Sequence, residues 1–129
     1  MLKVGENMKS ILQESSENYL ETILILSRDG NKVRSIDIAN ELGFTRPSVS
    51  IAMKKLRENH LIEVDNDGYI TLTDEGLKIA ESMYERHTII SNWLIELGVD
   101  EKTAIEDACK MEHVISDQSF LAIKKHLEG

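Results

Sequence analysis

Cysteine and proline each occur once in this chain, aromatic residues make up only 5% of it, and no apolar run approaches the roughly 18 residues of a membrane span. A single thiol cannot close an internal disulfide, which excludes a stapled secreted scaffold and suits a reducing compartment. Residues 1–15 lack the apolar core of a signal peptide, so the expected location is cytoplasmic, with no membrane partner. Few aromatics and a single Pro beside a 41% apolar fraction point to a helix-rich globular protein. At 129 residues the chain forms one compact body or two small lobes.

The net charge of −8 argues at first against nucleic acid, but it is unevenly spread. Residues 28–60 carry seven basic and four acidic side chains, whereas residues 61–129 carry six and fifteen. A basic middle beside an acidic end is compatible with one lobe on a polyanion and another holding cations.

From Ser16, expected to cap a helix, the residues Tyr19, Leu20, Ile23, Leu24 and Leu26 recur at helical spacing until Asp29-Gly30 stops them. Asn18 and Glu21 project from the opposite face, where polar residues are commonly just solvated. Ser35 is expected to cap a short helix through Leu42; Gly43 breaks it, and Thr45 caps a second helix with Arg46-Pro47 in its first turn. Small Ala39, Gly43 four residues later, and Ile38, Leu42, Phe44, Val49 and Ala52 at shared-core spacing make this a helix-turn-helix.

The second helix leaves Pro47, Ser48, Ser50, Ile51, Lys54 and Lys55 facing outward. Short hydroxyls, apolar atoms able to touch a thymine methyl, and flanking cations are what a major-groove helix uses. With Arg34, Thr45 and Arg46 they form the expected DNA-binding set. Residues 61–64 and 69–72 read as strands joined by the turn Asp65-Asn66-Asp67-Gly68, a wing whose acidic tip disfavours phosphate.

Thr73 starts a helix of about 25 residues, roughly 37 Å, that Gly98 ends. Part of it is expected to pack on a second lobe or a second chain. Asp100 caps the next helix, and Ser116-Asp117 opens the last.

The helix after Asp100 holds Cys109-Lys110-Met111-Glu112-His113. At 100° per residue, Cys109 and His113 lie about 40° apart, with Glu112 about 60° on the other side of Cys109. Thiolate, carboxylate and imidazole are the usual ligands of divalent transition metals. Spacing alone leaves two readings open, a metal site and a surface helix with an incidental thiol. His87, within an apolar stripe, reads taken alone more as a satisfied core histidine than as a ligand. The chain shows no phosphate loop and no nucleophile and base pair, so an enzyme is not expected.

Placed in this order, the pieces resemble the diphtheria-toxin-repressor and manganese-transport-regulator family of metal-dependent transcriptional regulators. The similarity covers about residues 16–127. It rests on Ser16-Glu17-Asn18-Tyr19-Leu20-Glu21, Thr45-Arg46-Pro47-Ser48-Val49-Ser50, Arg86-His87 and, most specifically, Ala108-Cys109-Lys110-Met111-Glu112-His113-Val114-Ile115-Ser116-Asp117. The resemblance implies a mainly α fold with a small β-hairpin, in two domains without the third, SH3-like one. These are a winged helix-turn-helix lobe over 1–72 and a helical metal-binding and dimerisation lobe over 73–129.

It also implies a homodimer that, loaded with Fe(II) or Mn(II), binds a palindromic operator and represses metal-uptake genes. Carried over by matching positions, the ligands are Glu21, His87, Cys109, Glu112 and His113, with Asn18 where family members keep another first-helix ligand. Asn18 replaces the Asp of manganese-type and the Met of iron-type members, while Cys109 follows the iron type. The competing reading is a winged-helix regulator that needs no metal, in which Cys109 senses oxidants.

Overall fold

The computed structural model describes residues 4–129, with side chains from residue 13 onward. Helix α1 spans Val4–Leu26, so it runs through Ser16, which is an interior residue and not the expected cap. The helix stops where Asp29 and Gly30 take left-handed backbone angles in a short 3-10 turn, Arg28–Gly30. Within the expected unassigned stretch, residues 1–3 lie outside the described residues.

Helix α2, Ser35–Leu42, is capped by Arg34 rather than by Ser35, which is its first residue. The Asp37 carboxylate, three residues into the helix, reaches back to accept from the Arg34 amide at 2.8 Å. Gly43 then turns the chain with φ 70°, a conformation that favours glycine, and its amide donates to Ala39. Helix α3, Arg46–Glu58, starts at Thr45, whose hydroxyl accepts from the Ser48 amide at 3.3 Å. Phe44 does not enter the shared core. It is 46% exposed and sets its ring edge against Tyr19, with centroids 6.0 Å apart.

Strands β1, Ile62–Val64, and β2, Ile70–Leu72, pair antiparallel with Ile62 opposite Leu72 and Val64 opposite Ile70. Val33 adds a single bridge to Ile70 on the other edge, through a 2.7 Å hydrogen bond from the Ile70 amide to the Val33 carbonyl. Asp65 closes the hairpin by accepting from the amides of Asp67 and Tyr69, each at 2.9 Å. Helix α4, Asp74–Glu96, begins at Thr73, whose hydroxyl accepts from Gly76. A side chain at Gly76 would stand 2.0 Å from the Leu61 carbonyl oxygen, so this helix start tolerates only glycine against the β1 entry. Helices α5, Glu101–Val114, and α6, Asp117–Glu128, follow with Asp100 and Ser116 as hydroxyl or carboxylate caps.

The chain divides into two compact units, Met1–Glu81 and Ser82–Gly129. In the first, Leu20, Ile23, Ile38, Val49, Met53, Leu56, Ile62 and Ile70 form one buried cluster beneath the helix-turn-helix and hairpin. Full burial of each such side chain contributes roughly 1.5–3 kcal/mol. The second unit has a smaller apolar core of Ile90, Ala108 and Phe120. No helix among the described residues is long and apolar enough to cross a membrane.

Candidate metal centre and DNA-binding face

In the second unit the helix α5 places Glu112 inward, 1% exposed, three residues beyond exposed Cys109. A buried carboxylate is costly unless its oxygens are engaged. Here both are: Oε2 lies 3.0 Å from His87 Nδ1, and Oε1 lies 3.4 Å from His113 Nε2. Cys109 Sγ approaches the same His87 nitrogen at 3.7 Å. His87, contributed by α4, therefore sits between thiol and carboxylate rather than in the apolar stripe alone.

That environment favours the imidazolium. Cys109 first and Glu112 second, both within hydrogen-bonding reach, push the His87 pKa up to about 10 against the opposing pull of partial burial. Two imidazoles, a carboxylate and a thiol are the donor types that divalent first-row metals take, and all four lie on one unit. The residues present thus fit such an ion.

Arg86, the neighbour of His87, was not singled out for a role by the sequence, yet it is the second unit's main polar tie. It is 8% exposed, and its guanidinium donates to the carbonyls of Glu112 at 3.1 Å and Ile115 at 2.7 Å, and to the Asp117 carboxylate. It also stacks 5.4 Å from the Phe120 ring centre. A cation three residues after Met83 and four before Ile90, on the buried stripe of α4, was the available signal.

In the first unit Glu21 is buried at 6% exposure, and Asn18 is half-buried with its carbonyl accepting from Thr22. Both were expected on a face opposite the apolar stripe. Of the expected DNA-binding set, Thr45, Arg46, Pro47, Ser48, Ser50, Ile51, Lys54 and Lys55 are all exposed, as is Arg34 at the head of α2. Ile51 is 60% exposed, an apolar side chain that the core does not use. Val49, Met53 and Leu56 on the opposite face of α3 are buried. The helix is thus fixed through one face and free along the other.

Two family models match the chain: the N-terminal DNA-binding domain of iron-dependent repressors over residues 11–70, and their metal-binding and dimerisation domain over residues 73–129. An uncharacterized HTH-type transcriptional regulator of Methanocaldococcus jannaschii is 34% identical over 119 residues, covering 91% of this chain and 95% of that protein. The transcriptional regulator MntR of Escherichia coli O157:H7 is 37% identical over 112 residues, covering 87% of this chain and 72% of that protein. Among solved structures, a manganese-dependent transcriptional repressor in complex with manganese superposes with a TM-score of 0.81 at 29% identity over 88% of this chain. The chain spans about half, 52%, of the length of that structure.

Proposed function

Because this chain belongs to the iron-dependent repressor family, which includes the diphtheria toxin repressor and MntR, we propose that it represses Fe(II) or Mn(II) uptake genes as a metal-loaded homodimer on a palindromic operator. It is a metal-dependent, DNA-binding transcriptional regulator with a dimerisation domain. Its proposed place is the cytoplasm, and its proposed output is occupancy of duplex DNA, with no catalysis. The proposed division of labour assigns residues 1–72 to DNA and 73–129 to dimerisation and metal.

The observation that carries this reading is buried Glu112 held between His87 and His113 beside Cys109. A bound divalent cation supplies the positive charge and coordination bonds that this donor set lacks on its own. His87, Cys109, Glu112 and His113 are the proposed ligands of the second unit. Glu21, with Asn18 one turn earlier, is the proposed contribution of the first. Metal binding is proposed to restrict the positions open to the recognition helix α3. A palindromic operator requires the two such helices of a dimer to stand about one DNA turn, roughly 34 Å, or a multiple of it apart. Ordering of this kind strengthens DNA binding by the ratio of metal affinities for the two arrangements, typically about 1–3 kcal/mol.

The test is binding of anaerobic protein to a duplex selected from a random pool in the presence of Mn(II), titrated with Fe(II), Mn(II), Zn(II) and chelator. Affinity should rise with metal and fall with chelator; equal affinity throughout sinks the reading. A second reading rests on the exposure of Cys109 and its contact with His87. In it, oxidation of the thiol alters DNA binding, which is then peroxide-sensitive and indifferent to chelator.

A further inference from the structure

The turn of the wing is acidic, but the segment bridged to its second strand is basic. Lys32 and Arg34 flank Val33, which is 2% exposed and bridged to Ile70. Strand-like alternation sends the two cations to the face opposite Val33. Both come to rest on one ring: Lys32 Nζ lies 4.8 Å and the Arg34 guanidinium carbon 4.4 Å from the Tyr69 centroid. Both are exposed, and among the described residues neither side chain is in an ion pair.

Two acids near them in sequence or along the hairpin are hydrogen-bonded to main-chain amides. Asp65 accepts from Asp67 and Tyr69, and Asp37 from Arg34. Two like charges gathered at one aromatic ring repel each other and gain from an anion.

Ser35, next to Arg34, lines a groove of about 190 Å³ together with Ser50, Lys54 and Arg57 of α3 and Val64 at the end of β1. Cations and hydroxyls on the exposed side of a recognition helix meet the sugar-phosphate backbone, whereas base edges are read from its middle.

We propose that Lys32, Arg34 and Arg57 form a sequence-independent strip for the phosphodiester backbone of duplex DNA, with Tyr69 as the positioning residue that holds the first two. The strip rests on the DNA-binding reading above and deepens it.

The experiment compares wild type, Lys32→Gln, Arg57→Gln, Tyr69→Leu and Tyr69→Phe on the selected duplex and on a scrambled duplex of equal length, at saturating Mn(II), across a salt series. Loss of one cation should lower the slope of log K against log salt by about 0.9 and weaken both duplexes by the same factor, leaving their ratio unchanged. Tyr69→Leu should lose affinity on both, and Tyr69→Phe, which keeps the ring, should restore it. An unchanged slope, a loss confined to the selected duplex, or wild type that fails to bind scrambled duplex even at low salt overturns the strip. A wild-type protein that binds both duplexes but ignores Mn(II) instead overturns the metal-dependent reading, while leaving the strip to be read from the scrambled duplex.

Discussion

The Arg86 guanidinium donates to the main-chain oxygen of Glu112 at 3.1 Å, so the residue beside one proposed ligand in sequence holds the backbone of another. Because Arg86 also engages Ile115 and Asp117, it fixes the end of α5 and the start of α6 together. Hydrogen bonds from charged donors each contribute about 1.5–3 kcal/mol, and deleting the donor leaves shielded carbonyls unpaired. Arg86→Ala should therefore cost about 2–4 kcal/mol in urea unfolding and lower metal affinity. Asp117→Asn should cost under about 1 kcal/mol, since the Asp117 side chain is 88% exposed and its charge is screened. Equal losses for the two would place the tie in the ion pair rather than in the carbonyl bonds.

Glu112 serves two imidazoles with its two oxygens and is almost without solvent. Glu112→Gln keeps its volume but removes the anion, and one end of an amide cannot accept. Metal affinity should fall by more than about tenfold, measured by calorimetry with Mn(II), while circular dichroism reports an intact helical fold. His113→Ala should likewise abolish the gain in DNA affinity on adding metal. Retained metal stimulation in either variant removes that residue from the ligand set.

His87, with its pKa pushed up to about 10 by Cys109 and then Glu112, holds a proton at neutral pH in the metal-free protein. A ligand must give up that proton, so metal uptake releases it and apparent metal affinity rises with pH. Stability of the metal-free protein runs the other way. The folded pKa lies above the ordinary value of 6.5, so the stabilisation is fully present below about pH 6.5 and fades as pH climbs through about 10. The denaturation midpoint should fall over that window, and His87→Gln should flatten the fall. Calorimetry in two buffers of different ionisation enthalpy should detect the proton released on Mn(II) binding. No proton release would show that His87 is not displaced.

The features legible in the sequence are those set by a few neighbouring residues. Thr45, Asp100 and Ser116 are caps as read, because a cap needs only its own side chain and an amide three residues on. Glu112 and His113, neighbours on one helix, do meet, although Cys109 remains exposed and reaches the cluster through His87. Ser16 misled because a hydroxyl before an apolar period looks like a cap whether or not a polar turn of helix precedes it. Phe44 misled because its spacing matches the core while the left-handed Gly43 turns the chain just before it. Arg86 was illegible in role, since its acceptors are carbonyls 26 and 29 residues away that no side-chain pattern announces.

Ile51 separates recognition from folding on a single helix. It is 60% exposed on α3, while Val49 and Met53, two residues either side, are buried. Ile51→Ala removes no core contact and should leave stability within about 0.5 kcal/mol of wild type. If its methyls meet thymine in the major groove, the same change should weaken the selected duplex by about 1–3 kcal/mol and leave the scrambled duplex untouched. Thr45→Ala should behave oppositely at first: loss of the cap costs about 0.5–2 kcal/mol of stability and loosens the turn that presents Ser48. Paired measurements of unfolding midpoint and duplex affinity distinguish the two. A destabilised Ile51→Ala, or one that loses selected and scrambled duplex alike, would mean that this side chain supports the helix and does not read bases.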